Sequence, residues 1–283
     1  MTVHVLMPVF NRLAMTRQMI EDLRAQAVDE LLHVVVVDDG STDGTSEWLA
    51  SQTDLSVVKG NGSLWWGGGI NAGLALVERA APADTDWILF VNNDTRIGDG
   101  FVQSLLQVAR THAPAAVGSI IRDESPPNAI LSIGPRINAW RLVVKDWLET
   151  PEGARAMCST SPLEVDALSG RGVLFPIQAL RKAGGMRPRA LPHYLADYEV
   201  SLRVRAAGWR LLVSPTTAVF SSPEYGSMRR SQSLRERLFS YRSPTYLPAV
   251  CGFWWAASSS MQRLSLPLRL LIFLIFPRLR RSS

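Results

Sequence analysis

Residues 34–45 constrain the fold more than any other stretch: Val34-Val35-Val36-Val37-Asp38-Asp39-Gly40-Ser41-Thr42-Asp43-Gly44-Thr45. Four β-branched residues in a row stop at two carboxylates. A continuous apolar run of this length predicts a strand covered on both faces, as in a parallel sheet between layers of helices. Turn residues follow, and a helical pattern begins at Ser46-Glu47-Trp48-Leu49. The acids then stand at the carboxyl edge of the sheet, where α/β folds bind ligands. The same residues also make an ordinary solvated turn with helix-capping Asp and Ser. The stretch alone leaves both readings open.

The chain before and after it alternates in the same way. Val3-His4-Val5-Leu6-Met7 reads as a first strand. Pro8-Val9-Phe10-Asn11-Arg12 is a loop, because proline lacks a donor N–H and restricts its predecessor. Apolar residues at Met15, Met19, Ile20 and Leu23 predict an amphipathic helix over Thr16–Gln26. Leu55-Ser56-Val57-Val58 is a short third strand. Such alternation argues for right-handed parallel crossovers.

Residues 60–73 set Trp65 and Trp66 among glycines, ending in Gly67-Gly68-Gly69-Ile70-Asn71-Ala72-Gly73. Glycine lets backbone approach a ligand, and tryptophan offers a flat face to a sugar or base. The helix expected through Leu74, Leu76 and Val77 offers its N-terminus to an anion. The alternative is a loop that folds both tryptophans into the core. Trp87-Ile88-Leu89-Phe90-Val91 then repeats the opening design and ends in Asn92-Asn93-Asp94-Thr95. Asp94 is a hard oxygen ligand of the kind that holds Mg²⁺ or Mn²⁺ on a phosphate. If the two strands are neighbours, their polar ends lie side by side.

A helix over Gly100–His112 and a strand over Ala115–Ile121 follow. Arg122–Pro162 is poorly periodic, with Pro126-Pro127 and Gly134-Pro135 marking turns. Ile130–Ile133 and Arg141–Val144 are candidates for an antiparallel pair in an acceptor-side excursion. Val165–Phe175 resumes the sheet through a glycine-bearing turn, and Pro176 starts a short helix ended by Gly184-Gly185. Val200, Leu202, Val204 and Ala207 predict a helix stopped by Gly208. Asp197 stands at its beginning, where the helix dipole favours the ionised form. It suits a general base or an ordinary N-cap. His193 is a base, a ligand or a structural hydrogen-bonding residue. Trp209–Val213 reads as the final strand.

The 283 residues suffice for one large α/β domain with an appendage, and a 47% hydrophobic fraction is ample for a core. The formal charge of +5 is uneven: from Arg229 onward the chain is rich in arginine, and Glu236 is its one acid. A basic end beside apolar residues suggests an anionic membrane surface or polyanion, or a solvated tail. Cys158 and Cys251 are far apart and lack metal spacing, which fits a reducing compartment. The start of the chain lacks a secretory pattern. The apolar run Leu268–Phe276 is shorter than the roughly 20 residues that span a bilayer.

In this order and spacing, Pro8–Arg12, Val37–Thr45, Asn71-Ala72-Gly73, Asn92-Asn93-Asp94 and Asp197-Tyr198-Glu199 resemble the motifs of family 2 glycosyltransferases with the GT-A fold. The resemblance covers roughly Val3–Ser227. The Trp-Trp-Gly-Gly segment is similar to bacterial members, many called rhamnosyltransferases, that build surface polysaccharides. It implies an α/β GT-A domain over 1–227, with a Rossmann-like, mostly parallel central sheet flanked by helices. An apolar, basic helical tail over 228–283 follows it. It also implies a nucleotide-sugar donor, dTDP-rhamnose or a UDP-sugar, held by Pro8, Val9, Asn11, Asp39, Gly69, Asn71, Asn92, Asn93 and Asp94. Asp39 would serve the base, with Asp38 structural, and Asp94 would bind Mg²⁺ or Mn²⁺. Trp65, Trp66, His193 and Tyr194 would face the donor sugar or the acceptor. Asp197 would be the base in a single, inverting displacement by a hydroxyl of a glycan acceptor, polyprenyl-linked at the inner face of the cell membrane.

Four departures from the family pattern bear on this expectation. Asn92 begins the Asp-x-Asp position, and Ala196 replaces the Glu before the base. Ser221-Ser222 stand where members often carry a metal- or diphosphate-binding His, and Ile70 where many have Arg. Arg229 and Arg230 are expected to supply the missing cation. Phe253-Trp254-Trp255 and the apolar stretch from Leu264, bracketed by arginines, suit an interfacial anchor, a helix packed on the domain, or a homodimer interface. A non-catalytic carbohydrate-binding or scaffold protein derived from a transferase is the second reading. A nucleotidyltransferase is weaker, since Pro8–Arg12 has no glycine. A nucleic-acid role has little support, because the positive charge sits in an apolar tail.

Overall fold

A computed structural model describes residues 1–222, 233–241 and 243–275. In chain order the elements are β1 (Thr2–Val9), α1 (Leu13–Arg24), β2 (Leu31–Asp38), α2 (Thr45–Ala50), β3 (Ser56–Lys59), α3 (Trp65–Arg79), β4 (Trp87–Phe90), β5 (Thr95–Ile97) and α4 (Phe101–Thr111). Next come β6 (Ala115–Asp123), β7 (Ile130–Ser132), β8 (Pro135–Asn138), β9 (Val143–Asp146), α5 (Pro151–Ala156), β10 (Leu163–Glu164), β11 (Val173–Pro176), α6 (Ile177–Ala183) and α7 (Ala196–Ala206). The last are β12 (Arg210–Ser221), α8 (Leu234–Phe239), α9 (Leu247–Ala257) and α10 (Ser260–Ile275).

The main sheet runs β10-β12-β6-β11-β4-β1-β2-β3. β3, β2, β1 and β4 are mutually parallel. β11 is antiparallel to both β4 and β6, and β12 is parallel to β6. Six strands, β1 to β4 with β6 and β12, therefore point one way, and β11 and the short β5, β7 and β10 are reversed. Alternate side chains of each strand feed opposite cores, as a two-residue period requires. Val3, Val5, Met7, Val34 and Val36 pack with α1 and α4, whereas Leu6, Val35 and Val37 pack with α3. This is the expected mostly parallel sheet between helical layers.

The chain walks from β1 to β3 in one direction and then crosses to β4 on the other side of β1. That reversal is a topological switch point, and it opens a crevice at the carboxyl ends of β1 and β4. The Asp38 and Asp94 strands are not neighbours: β1 lies between β2 and β4. The turn before β11 reaches the same edge, because β11 runs backwards.

Two local expectations are corrected. Ile130–Ser132 pairs with β6, and the hairpin is instead β8 with β9, Pro135 opposite Asp146 and Asn138 opposite Val143. The helix after the tryptophans starts at Trp65 itself, so the glycine run lies inside it. The expected boundary at 227/228 lies outside the described residues. Beyond it, Ala249, Val250, Phe253 and Trp254 of α9 and Leu266 and Leu270 of α10 belong to the same core as α3, α6 and α7.

Candidate active site

Four turns meet at the carboxyl edge. The first is unusual: Asn11 and Arg12 both take left-handed backbone angles, φ 60° and 67°. Such conformations are rare outside glycine and are held only by surrounding contacts. Asn11 supplies them, donating its N–H to Ser41 Oγ at 2.8 Å and accepting from Thr42 N–H at 2.8 Å. Asp38 closes the second turn, accepting from Ser41 N–H at 2.9 Å and from the Ser46 hydroxyl. Val9 C=O accepts from Asp39 N–H at 2.8 Å, which ties the two turns together.

Asp39 has internal partners. Its carboxylate accepts from Gly62 N–H at 2.8 Å, Leu64 N–H at 2.9 Å and Trp65 N–H at 3.1 Å. Three of its roughly four lone-pair positions are spent fixing the entry to α3. Asn93 is likewise buried, with its amide on Thr16 Oγ1 at 3.0 Å.

The glycines of α3 are packing residues. A Cβ on Gly67 would lie 2.5 Å from Leu191 O, and one on Gly69 would lie 2.8 Å from Pro8 Cβ. Gly67 N–H also donates to Pro192 O at 2.7 Å. Their smallness lets α3 touch β1 and the segment before α7. Ile70 is fully buried in the core, so its side chain does not face the crevice, and Asn71 is half-buried. Trp66 Nε1 donates to Asn92 Oδ1 at 2.8 Å, and its ring faces Gly170, where a Cβ would come within 2.2 Å. Trp66 is thus a pillar between α3, the end of β4 and the turn before β11. Trp65 packs with His193 at 5.8 Å and Tyr241 at 6.2 Å between ring centroids, and His193 with Tyr194 at 4.6 Å.

Asp197 is the second residue of α7, after Leu195 and Ala196, and the cap position is Leu195 in a left-handed conformation. Its Oδ2 accepts from Gly170 N–H at 2.8 Å and its Oδ1 from Tyr198 N–H at 2.9 Å. Burial pushes its pKa above the ordinary carboxylate range, against those two amides and the positive charge of Arg171. A raised pKa is what a carboxylate needs to take a proton near neutrality. Burial also pushes the Tyr198 phenol up and holds His193 down, the latter against the nearby Asp94 charge. His193 Nδ1 is buried without a partner among the described residues.

Asp94 sits in an ion pair. Arg12 Nη1 donates to its Oδ2 at 2.6 Å. Asn92 gives its amide oxygen to Trp66. Among the described residues no group of three His, Cys, Asp or Glu side chains comes together. Ser221, in the place of the family's His, is buried and accepts from Arg171 Nη1 at 3.4 Å. Among the described residues these side chains do not assemble a divalent-metal site, and the Arg12 guanidinium already engages one carboxylate oxygen of Asp94. Arg229 and Arg230, the expected extra cations, lie outside the described residues. Arg12 and the Gly170-Arg171 turn are the participants that sequence reasoning left without a role. Arg12 ends the quoted Pro8–Arg12 motif, and a lone cation in a sheet-edge loop was the available signal.

The sequence profile of Glycosyl transferase family 2 matches residues 4–150. A sequence search of curated proteins finds no match. Solved structures share the fold. GalNAc-T7 with UDP, GalNAc and Mn²⁺ aligns at TM-score 0.61 and 14% identity, over 87% of this chain and 49% of that one. S. aureus TarS 1–349 in complex with UDP-GlcNAc aligns at 0.60 and 15% identity, over 98% and 73%. The mannosyltransferase PcManGT from Pyrobaculum calidifontis, in complex with GDP-Man and Mn²⁺, aligns at 0.53 and 16% identity, over 99% and 76%. The chain thus spans about half the length of GalNAc-T7.

Proposed function

The chain belongs to glycosyltransferase family 2, and on that premise we propose that it moves a sugar from a nucleotide-diphosphate donor to a glycan hydroxyl with inversion. The donor is dTDP-rhamnose or a UDP-sugar, and the acceptor is a growing, lipid-linked bacterial surface glycan. The observation that carries this reading is Asp197. It stands against the Gly170-Arg171 turn, which precedes β11 and so reaches the carboxyl edge of β4, and its pKa is raised by burial. Relatives of the same fold in complex with UDP-GlcNAc and GDP-Man support a nucleotide-sugar donor.

In this mechanism the donor lies across the switch point, over Pro8, Val9 and Gly69. The acceptor oxygen attacks the anomeric carbon from the Asp197 side, and Asp197 takes its proton. The bond from that carbon to the diphosphate oxygen breaks, and the nucleoside diphosphate leaves with both electrons. Arg12 offsets the charge that develops on the leaving group, an electrostatic contribution matched to the transition state. Trp65, His193 and Tyr194 form the apolar wall beside the sugar. Mn²⁺ accompanies two of the relatives, but no step here is assigned to a metal.

A thermal-shift screen of nucleotide sugars tests the reading. At a hundredfold excess over Kd the true donor raises the melting temperature by about 5 °C or more. Transfer to a lipid-linked glycan, followed by NMR of the new anomeric centre, then reads the stereochemistry. Retention of configuration, or no shift and no turnover with any donor, overturns the proposal.

A further inference from the structure

α10 is apolar on two opposite faces. Leu266 and Leu270 are buried in the core. On the other side Met261, Leu264, Leu268, Leu271 and Ile272 recur at three- and four-residue steps, the spacing of one helix stripe. All five are exposed, Met261 at 74% and Leu264 at 86%. A helix with apolar residues on opposite faces normally buries both. Among the described residues no helix is long and apolar enough to cross a membrane.

The borders of this stripe say what covers it. Along one edge, Arg263 lies over the Trp255 ring at 4.9 Å and donates to Trp255 O at 3.1 Å. Along the other, Arg269 lies over the Trp140 ring at 5.2 Å and donates to Trp140 O at 3.2 Å. Trp255 and Trp140 are more than half exposed although they belong to separate parts of the chain, α9 and the β8–β9 hairpin. Neither arginine has a carboxylate partner among the described residues. Residues 247–275 contain no acid, and the hairpin tip carries Arg141. Asp146, at the base of the hairpin, is turned inward to Ser132 and Ile133.

We infer that this stripe, with its two Trp–Arg borders, is a docking surface for an anionic lipid bilayer. An apolar ridge belongs at the acyl boundary, tryptophan at the headgroup level, and arginine on the lipid phosphates. Charge argues against a second copy. A two-fold interface sets the same patch against itself, which would bring arginine rims together with no acid between them. The surface is independent of the transfer reading, because bilayer binding needs no donor or acceptor.

Co-sedimentation of the full chain with vesicles tests it. The protein binds 3:1 phosphatidylcholine:phosphatidylglycerol vesicles at least tenfold more tightly than pure phosphatidylcholine, and added salt weakens binding through screening. Leu264→Glu with Leu268→Glu lowers that binding at least tenfold and leaves the melting temperature unchanged, since both side chains are already in water. Trp140→Ala lowers it about threefold, as the loss of one aromatic interface anchor, and is the second readout if the double variant does not fold. No binding by the intact chain to anionic vesicles overturns the inference. So does binding that survives these substitutions, or a dimer that Leu264→Glu with Leu268→Glu dissociates.

Discussion

As the proposed base, Asp197 must be ionised to accept a proton and enclosed enough to hold it, and the two requirements pull its pKa in opposite directions. Gly170 N–H, Tyr198 N–H and Arg171 favour the carboxylate, and desolvation outweighs them. Asp197→Asn keeps the shape and removes the base. It should lower kcat about 10²–10⁴-fold, the usual range for a general base, with donor Kd within about twofold. A comparable loss of donor binding would make Asp197 a donor ligand instead. The raised pKa also sets a sign for stability. Between the unfolded value, about 3.9, and the raised folded value, the native state holds the extra proton. Stability therefore falls as pH rises through that window. The melting temperature of the wild type relative to Asp197→Asn should be highest below about pH 4 and decline as pH climbs. Arg12 gives a second test at this scale. With Asp94 released, Arg12→Ala should bind Mn²⁺ more tightly by calorimetry. In the presence of EDTA it should bind donor about tenfold or more weakly, the scale of one charge-assisted contact. Unchanged affinity for both ligands would remove Arg12 from the site.

α7 presents Asp197, so whatever fixes α7 fixes the proposed base. Glu199 is 1% exposed and accepts from Arg203 Nε at 2.8 Å and Nη2 at 2.7 Å. Arg203 also donates to Ala183 O and to Gly185 O at 2.7 Å, so the pair locks α7 onto the end of α6. Removing one partner of a buried pair leaves the other uncompensated, at about 3–5 kcal/mol. Glu199→Ala should therefore lower the melting temperature by roughly 10 °C. Arg187 meets the same carboxylate from the surface, half exposed, and Arg187→Ala should cost less than about 1 kcal/mol. Equal losses in the two variants would refute the lock. This element also shows where sequence reading stops. The apolar runs of β1, β2 and β4 and the polar residues ending them were legible, because a strand buried on both faces writes itself locally. The glycines of α3 were legible as special, but their steric partners, Leu191 and Pro192 for Gly67 and Pro8 for Gly69, lie far off in sequence. Asp39 was legible as a sheet-edge acid, yet its three amide donors depend on the path of the chain after β3. The β8–β9 pairing was missed because register between short strands is not encoded in local periodicity.

Over the whole molecule, the composition change after Arg229 predicts an appendage, and the packing unites that appendage with the sheet. Phe253 is 1% exposed and lies edge-on to Trp254 at 4.9 Å, inside the core that also holds Leu6, Phe90 and Val200. Gly252 brings α9 against the Leu191 side chain, on the segment that α3 touches from the other side. The helix carrying the exposed apolar stripe and the sheet carrying the candidate site are therefore coupled through one apolar interior. Cooperative unfolding follows, since a shared core leaves no independently stable part. Phe253→Ala removes a large buried ring and should cost about 3–5 kcal/mol. In a denaturant titration followed by far-ultraviolet circular dichroism and by tryptophan fluorescence, both signals should shift together to lower denaturant in one transition. An early transition in fluorescence, with the circular dichroism midpoint unmoved, would show the C-terminal helices to be a separate unit.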